Sequence, residues 1–173
     1  MQIKTIFVWI LLFSFGHLSA EECAVDDRIM FAIATIEKHP KTPVGYPYLI
    51  SLNSSKDQRK ARTNKALEKF FLDKRTIDCN NKETCVEILS ILEENGIKNL
   101  DLGGFQINYL YWGMESNQDY FNVRKSYEKA CIIVTSHNKN KWTWENIAKY
   151  HSKTKKYNEA YKKNLLALVE RVQ

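Results

Sequence analysis

Apolar residues recur at helical spacing along most of the chain. Ile29, Met30, Ile33 and Ile36 form one stripe, which Asp26 or Asp27 caps and Pro40 stops. Residues 40–55 carry all three prolines and read as extended or looped. Residues 56–75 are basic, with a helical stripe at Ala61, Ala66, Leu67, Phe70 and Phe71. Cys85, Ile88, Leu89 and Leu92 mark the inner face of a helix from about Lys82 to Asn95, with Asn80 or Asn81 as its cap and Gly96 just past its end. Further helical stripes are Val123, Tyr127, Ala130, Cys131 and Val134, then Trp144, Ile147, Ala148 and His151, and finally Tyr161, Leu165, Leu168, Val169 and Val172. One stretch breaks the pattern. "LDLGGFQINYLYW", residues 100–112, starts like a strand, is interrupted by two glycines, and sets two amides among aromatics. The chain is therefore predicted to be a single, mainly α domain with a small extended or β segment.

The apolar run "TIFVWILLFSFG" behind Lys4, followed by "HLSA", has the layout of a secretory signal peptide over residues 1–20, with an uncleaved anchor as the alternative. The domain then spans 21–173, in the periplasm or exported. The chain has 26 Lys+Arg against 20 Asp+Glu, and without Lys4 the excess is about +5. Such a balance favours anionic polymers and surfaces and does not require nucleic acid. The cysteines, Cys23, Cys79, Cys85 and Cys131, are even in number and follow the leader, so disulfides are expected. Cys79 and Cys85 flank an Asn-Asn turn, and Cys23 with Cys131 would tie the N-terminus to a later helix. No C-x-x-C occurs and the histidines are not at ligand spacing, so neither a metal nor an organic cofactor is expected.

Glu37 is the informative carboxylate. It falls four residues after Ile33, on the apolar side of the first helix and at its C-terminus. Burial and the helix dipole both disfavour a negative charge there, which is how a general acid is prepared. A carboxylate turned to solvent at a frayed end is the plainer alternative. In residues 100–112, the glycines Gly103 and Gly104 let backbone approach a saccharide closely, and Gln106 can donate to and accept from its polar groups. Tyr109, Tyr111 and Trp112 read as core, as do Trp142 and Trp144.

Three segments, "IATIEKHP", "LDLGGFQIN" and "WENIAKYHSKTKKYNEAY", resemble in order the three motifs of the lytic transglycosylase catalytic domain. The likeness is to its small secreted branch associated with secretion and conjugation machines, and it covers roughly residues 23–170. It implies a lysozyme-like fold with the β segment near the active site. It also implies Glu37 as catalytic acid, with Tyr150 beside the catalytic carboxyl. Gly103, Gly104, Phe105, Gln106, Asn108 and His151 are the positions it assigns to substrate. Gly104 stands where the family pattern has Leu, Phe105 where it has Met, Lys38 where it has Ser and Lys153 where it has Gly.

The implied reaction cleaves the β-1,4 bond between N-acetylmuramic acid and N-acetylglucosamine, with one Glu as acid and then base and a 1,6-anhydro product. The implied partner is the peptidoglycan strand, with components of a secretion or conjugation machine as further partners, and the chain acting as a monomer. Two alternatives stay open. A water-using muramidase would need a second carboxylate near Glu37, whereas Asp101 reads as a structural residue at a strand start. A wall-binding protein of the same fold would need no acid.

Overall fold

The computed structural model describes residues 23–139 and 141–172, so the expected leader lies outside the described residues. Helix α1, Asp27–Glu37, starts at Asp26, whose carboxylate accepts from the Arg28 backbone N–H. It buries Met30, Ala32, Ile33 and Ala34, and it stops when Lys38 turns to extended backbone at φ −65° and ψ 146°. Strand β1, Leu49–Leu52, lies inside the proline-bearing segment and is buried at every position. Helix α2, Ser55–Arg62, begins at Ser54. Strand β2, Thr76–Asp78, follows, and then α3, Lys82–Glu94, where Asn81 accepts from the Thr84 N–H. Gly96, at φ +68°, takes the left-handed turn past its end.

Strands β3, Leu100–Leu102, and β4, Ile107–Asn108, complete an antiparallel sheet of order β2-β1-β3-β4. Ile50 pairs with Ile77 on one side and with Leu102 on the other, and Leu102 pairs in turn with Ile107. The remaining helices are α4, Val123–His137, α5, Trp144–Ile147, and α6, Lys155–Val169. Helix α1 packs against α6 and α4, and α3 packs on β1. Helices and sheet share one apolar core that includes Met30, Ile50, Leu89, Leu102 and Leu165. The expected class is thus met: one mainly helical domain with a minor antiparallel sheet.

Both expected disulfides are present. Cys23–Cys131 ties the residues before α1 to α4, and Cys79–Cys85 closes the link between β2 and α3.

Several local expectations are corrected. Residues 56–75 are not one helix: α2 ends at Arg62, and a short 3-10 turn occupies Glu68–Phe70. The Thr63 hydroxyl bonds the Lys60 carbonyl and the Asn64 side chain accepts from the Ala66 N–H, which ends the helix and leaves Ala66 exposed. The helix through Trp144 lasts only to Ile147 and passes into a 3-10 turn over Ala148–Tyr150. Val123, at the first turn of α4, is exposed rather than inward. Tyr111 and Trp142, expected in the core, are 75% and 49% exposed. Tyr109, Trp112 and Trp144 pack against the core as expected.

Candidate functional site

The end of α1 delivers Glu37 into a cleft of about 670 Å³, within the roughly 300–1,000 Å³ of ligand sites. Glu37 is 14% exposed, and its Oε1 is buried without a hydrogen bond. A buried carboxylate oxygen without a hydrogen-bond partner is rare and points to a functional role for the group. The facing wall is built by β3, β4 and the turn between them, which contribute Asp101, Gln106 and Asn108. The third side is the segment after α5, with Tyr150 and His151. Three stretches far apart in sequence thus meet in one cleft.

His151 is the nearest charged neighbour of the acid. Its Nδ1 lies 3.7 Å from Glu37 Oε1, a distance for pairing by charge rather than by a hydrogen bond. The Glu37 carboxylate raises the imidazole above the ordinary histidine range, against the opposing effect of burial. The ring is stacked flat on Tyr161 of α6, at 4.8 Å between centroids and 3° between planes. The Tyr161 hydroxyl is itself buried without a partner; burial, and then the Glu37 charge, push it well above the usual phenol range. Of the three buried side-chain polar atoms without a partner among the described residues, two belong to groups that touch His151, Glu37 Oε1 and the Tyr161 hydroxyl, and the third is Ser126 Oγ.

Tyr150 does not hydrogen-bond to Glu37. Its hydroxyl donates to the Phe105 carbonyl at 2.6 Å. Burial, with the Glu37 and Asp101 charges adding to it, keeps the phenol firmly protonated. Its observed role is to fasten the segment after α5 to the β3–β4 turn.

That turn explains the paired glycines differently from the sequence reading. A Cβ on Gly103, which has φ +75°, would lie 2.1 Å from the Tyr120 carbonyl oxygen, and one on Gly104 would lie 2.5 Å from the Gly45 carbonyl oxygen. The close approach they permit is to the protein's own backbone, not to a saccharide, and both residues are buried. Phe105 is also buried, edge-on to Tyr127, and does not line the cleft. Of the six positions assigned to substrate, Gln106, Asn108 and His151 reach the cleft, whereas Gly103, Gly104 and Phe105 shape its wall from behind. Gln106 has φ +47°, rare for a residue with a side chain. Its Nε2 and its backbone N–H both donate to the Gly103 carbonyl, at 2.8 and 3.2 Å, which closes the turn twice.

Asp101 does more than hold the start of a strand. It accepts from Asn108 Nδ2 at 2.8 Å and from Arg75 at 3.4 Å, so it does have the structural role expected of it. It also lines the cleft that holds Glu37. Burial raises its carboxyl above the usual range, the Glu37 charge adds to this, and the amides of Asn53 and Asn108 and the Arg75 guanidinium oppose it. The signal was in the sequence, since Asp101 alternates with the buried Leu100 and Leu102 and so faces the opposite side of β3. Exposed Tyr111 and part-buried Trp112 also line the cleft. No group of ligands that could hold a metal ion occurs among the described residues.

No family model matches the chain, and no curated protein and no solved structure matches it.

Proposed function

We propose that the chain is a peptidoglycan lytic transglycosylase of lysozyme-like build. The observation that carries this reading is the position of Glu37. It is a shielded carboxylate at a helix end, facing Gln106, Asn108 and His151 across one cleft. These residues come from the same three segments that resemble the family's motifs.

In the proposed reaction protonated Glu37 gives its proton to the oxygen between N-acetylmuramic acid and N-acetylglucosamine, and the muramyl C1–O bond breaks. The muramyl 2-acetamido oxygen shields C1 as the bond opens. Glu37, now a carboxylate, takes the proton of the muramyl C6 hydroxyl, and O6 bonds to C1 to close the 1,6-anhydro ring. No water is consumed. General acid–base action accounts for about 10²–10⁴ of the rate, and alignment of C6 over C1 must supply much of the rest. Gln106 offers its amide oxygen to the acetamido and hydroxyl groups, Asn108, tied to Asp101 and to the Leu110 and Tyr111 N–H groups, holds the wall in place, and exposed Tyr111 offers a flat face to a sugar ring. The expected setting is the periplasm or the exterior, where local opening of the wall would serve a secretion or conjugation apparatus.

Asp101 supports a second reading. A carboxylate in the same cleft as Glu37 could activate water, which would make the chain a muramidase-type hydrolase. Digestion of purified peptidoglycan, with the products weighed, separates the two, because the anhydro product is one water lighter than the hydrolytic one.

A further inference from the structure

Part of the cleft lining is basic. It is formed by His137, from the last turn of α4, by Lys149, from the 3-10 turn after α5, and by Lys153, two residues past His151. Among the described residues, no carboxylate lies within ion-pair distance of either lysine. Lys149 Nζ donates only to the neutral Asn146 Oδ1, at 2.7 Å. The acidic residues of the cleft are engaged with other partners, Glu37 with His151 and Asp101 with Arg75 and Asn108. The three basic groups feel one another: burial, then Lys153 and then Lys149 lower the protonation of His137, whose ring is also edge-on to Trp112. Like charges gathered at a cleft wall cost stability, and an anionic ligand offsets that cost. Lys153 also stands where the motif resembled has glycine, so this charge belongs to this chain and not to the general pattern.

Resting on the peptidoglycan reading, we infer that Lys149 and Lys153 form a subsite for carboxylate groups carried by the glycan, so that the cleft selects acidic wall glycan over a neutral N-acetylglucosamine polymer. Two carboxylate sources exist on such a strand, the lactyl group of a muramyl residue whose peptide has been removed and, where the peptide is attached through that group, the carboxylates of the stem. Both present the same chemistry to an ammonium.

The test is calorimetric binding of three soluble ligands to the full chain at low salt. They are the N-acetylglucosaminyl–N-acetylmuramyl disaccharide with a tetrapeptide stem, the same disaccharide with the stem removed, and neutral chitobiose. None contains the bond that the proposed enzyme cleaves, so binding is read independently of catalysis. The acidic ligands are expected to bind about tenfold tighter than chitobiose, with the advantage shrinking as salt is added. Lys149→Gln with Lys153→Gln should bring the acidic ligands close to chitobiose. A preference for the stem-free disaccharide alone assigns the subsite to the lactyl carboxylate, a preference for the stem-bearing one alone assigns it to the stem carboxylates, and a preference for both shows that it accepts either. Equal binding of neutral and acidic ligands, an undiminished preference in the double variant, or no binding of any of the three overturns the subsite. A clear preference in a chain that releases no fragments from peptidoglycan would instead remove the catalytic reading and leave a wall-binding cleft.

Discussion

His151 Nδ1 stands 3.7 Å from Glu37 Oε1, and Tyr161 holds the imidazole in that place by stacking flat against it. A protonated His151 is thus a proton source beside the carboxyl group from which the acid of the free enzyme can be charged. Asp101 and Arg75 also act on the ring, in opposite directions, and the Glu37 charge outweighs both.

His151→Gln removes this reservoir. The alkaline limb of kcat/KM should then move to lower pH, with an activity loss on the order of tenfold above neutrality and a smaller loss near pH 5. A stability effect should accompany it. Because the folded histidine is raised, its contribution is complete below the unfolded value of about 6.5 and is lost as pH rises through the folded value. The ring is 48% exposed, so the effect is about 1 kcal/mol or less. Melting of the two proteins at pH 5.5 and 8.5 checks the sign: the variant should lose more at the lower pH. An unmoved alkaline limb would reduce His151 to packing.

Tyr150→Phe should act through the turn rather than through the acid. It leaves the Phe105 carbonyl without its 2.6 Å donor, at a cost of about 1–2 kcal/mol. The expected fall in Tm is roughly 3–6 °C, with less than about a tenfold loss of turnover well below Tm. A loss of turnover as deep as that of a Glu37 variant, at unchanged stability, would show that the hydroxyl takes part in the chemistry.

Gly104→Leu would restore the residue found in the motif resembled, and it should damage this protein. The new Cβ would start 2.5 Å from the Gly45 carbonyl oxygen, backbone against backbone, so no rotamer relieves it. Gly103→Ala adds a left-handed φ of +75° to a 2.1 Å clash with the Tyr120 carbonyl. Each should cost more than about 3 kcal/mol in urea unfolding. A loss under about 1 kcal/mol for Gly104→Leu would mean that the segment around Gly45 yields easily.

The two disulfides should contribute unequally. Cys23–Cys131 spans 108 residues and Cys79–Cys85 spans 6. Loop-closure entropy then assigns about 5 kcal/mol to the first and about 2 kcal/mol to the second. Replacing each pair by serines and comparing denaturation midpoints checks the order, and an equal effect would place the difference in the native state instead.

The helices were legible because each carries its own signals. Asp26, Asn81 and Gly96 occupy the capping positions that their side chains and backbone freedom suit. The sheet was less legible. Strand β1 is buried at every position and so lacks alternation, and β2 has only three residues, too few to declare a period. At the site, Glu37 was found because a carboxylate on an apolar stripe is anomalous. Gly103 and Gly104 were visible as anomalies, but what crowds them, Tyr120 and Gly45, comes from distant parts of the chain and could not be read locally. The same holds for Lys149 and Lys153, whose convergence with His137 depends on how α5 and the 3-10 turn pack on α4.

In the proposed reaction Glu37 acts as the acid and then as the base that closes an anhydro ring. Glu37→Gln preserves the shape of the side chain and removes the proton it would donate. Mass analysis of fragments released from purified peptidoglycan by the wild-type and variant proteins is the direct measurement, with Tm recorded for both. The prediction is anhydro-muropeptides, one water lighter than hydrolytic products, from the wild type, and no release from a Glu37→Gln protein of near-unchanged Tm. Anhydro products from the variant, or only hydrolytic products from the wild type, would contradict the account, the latter in favour of a water-using mechanism through Asp101.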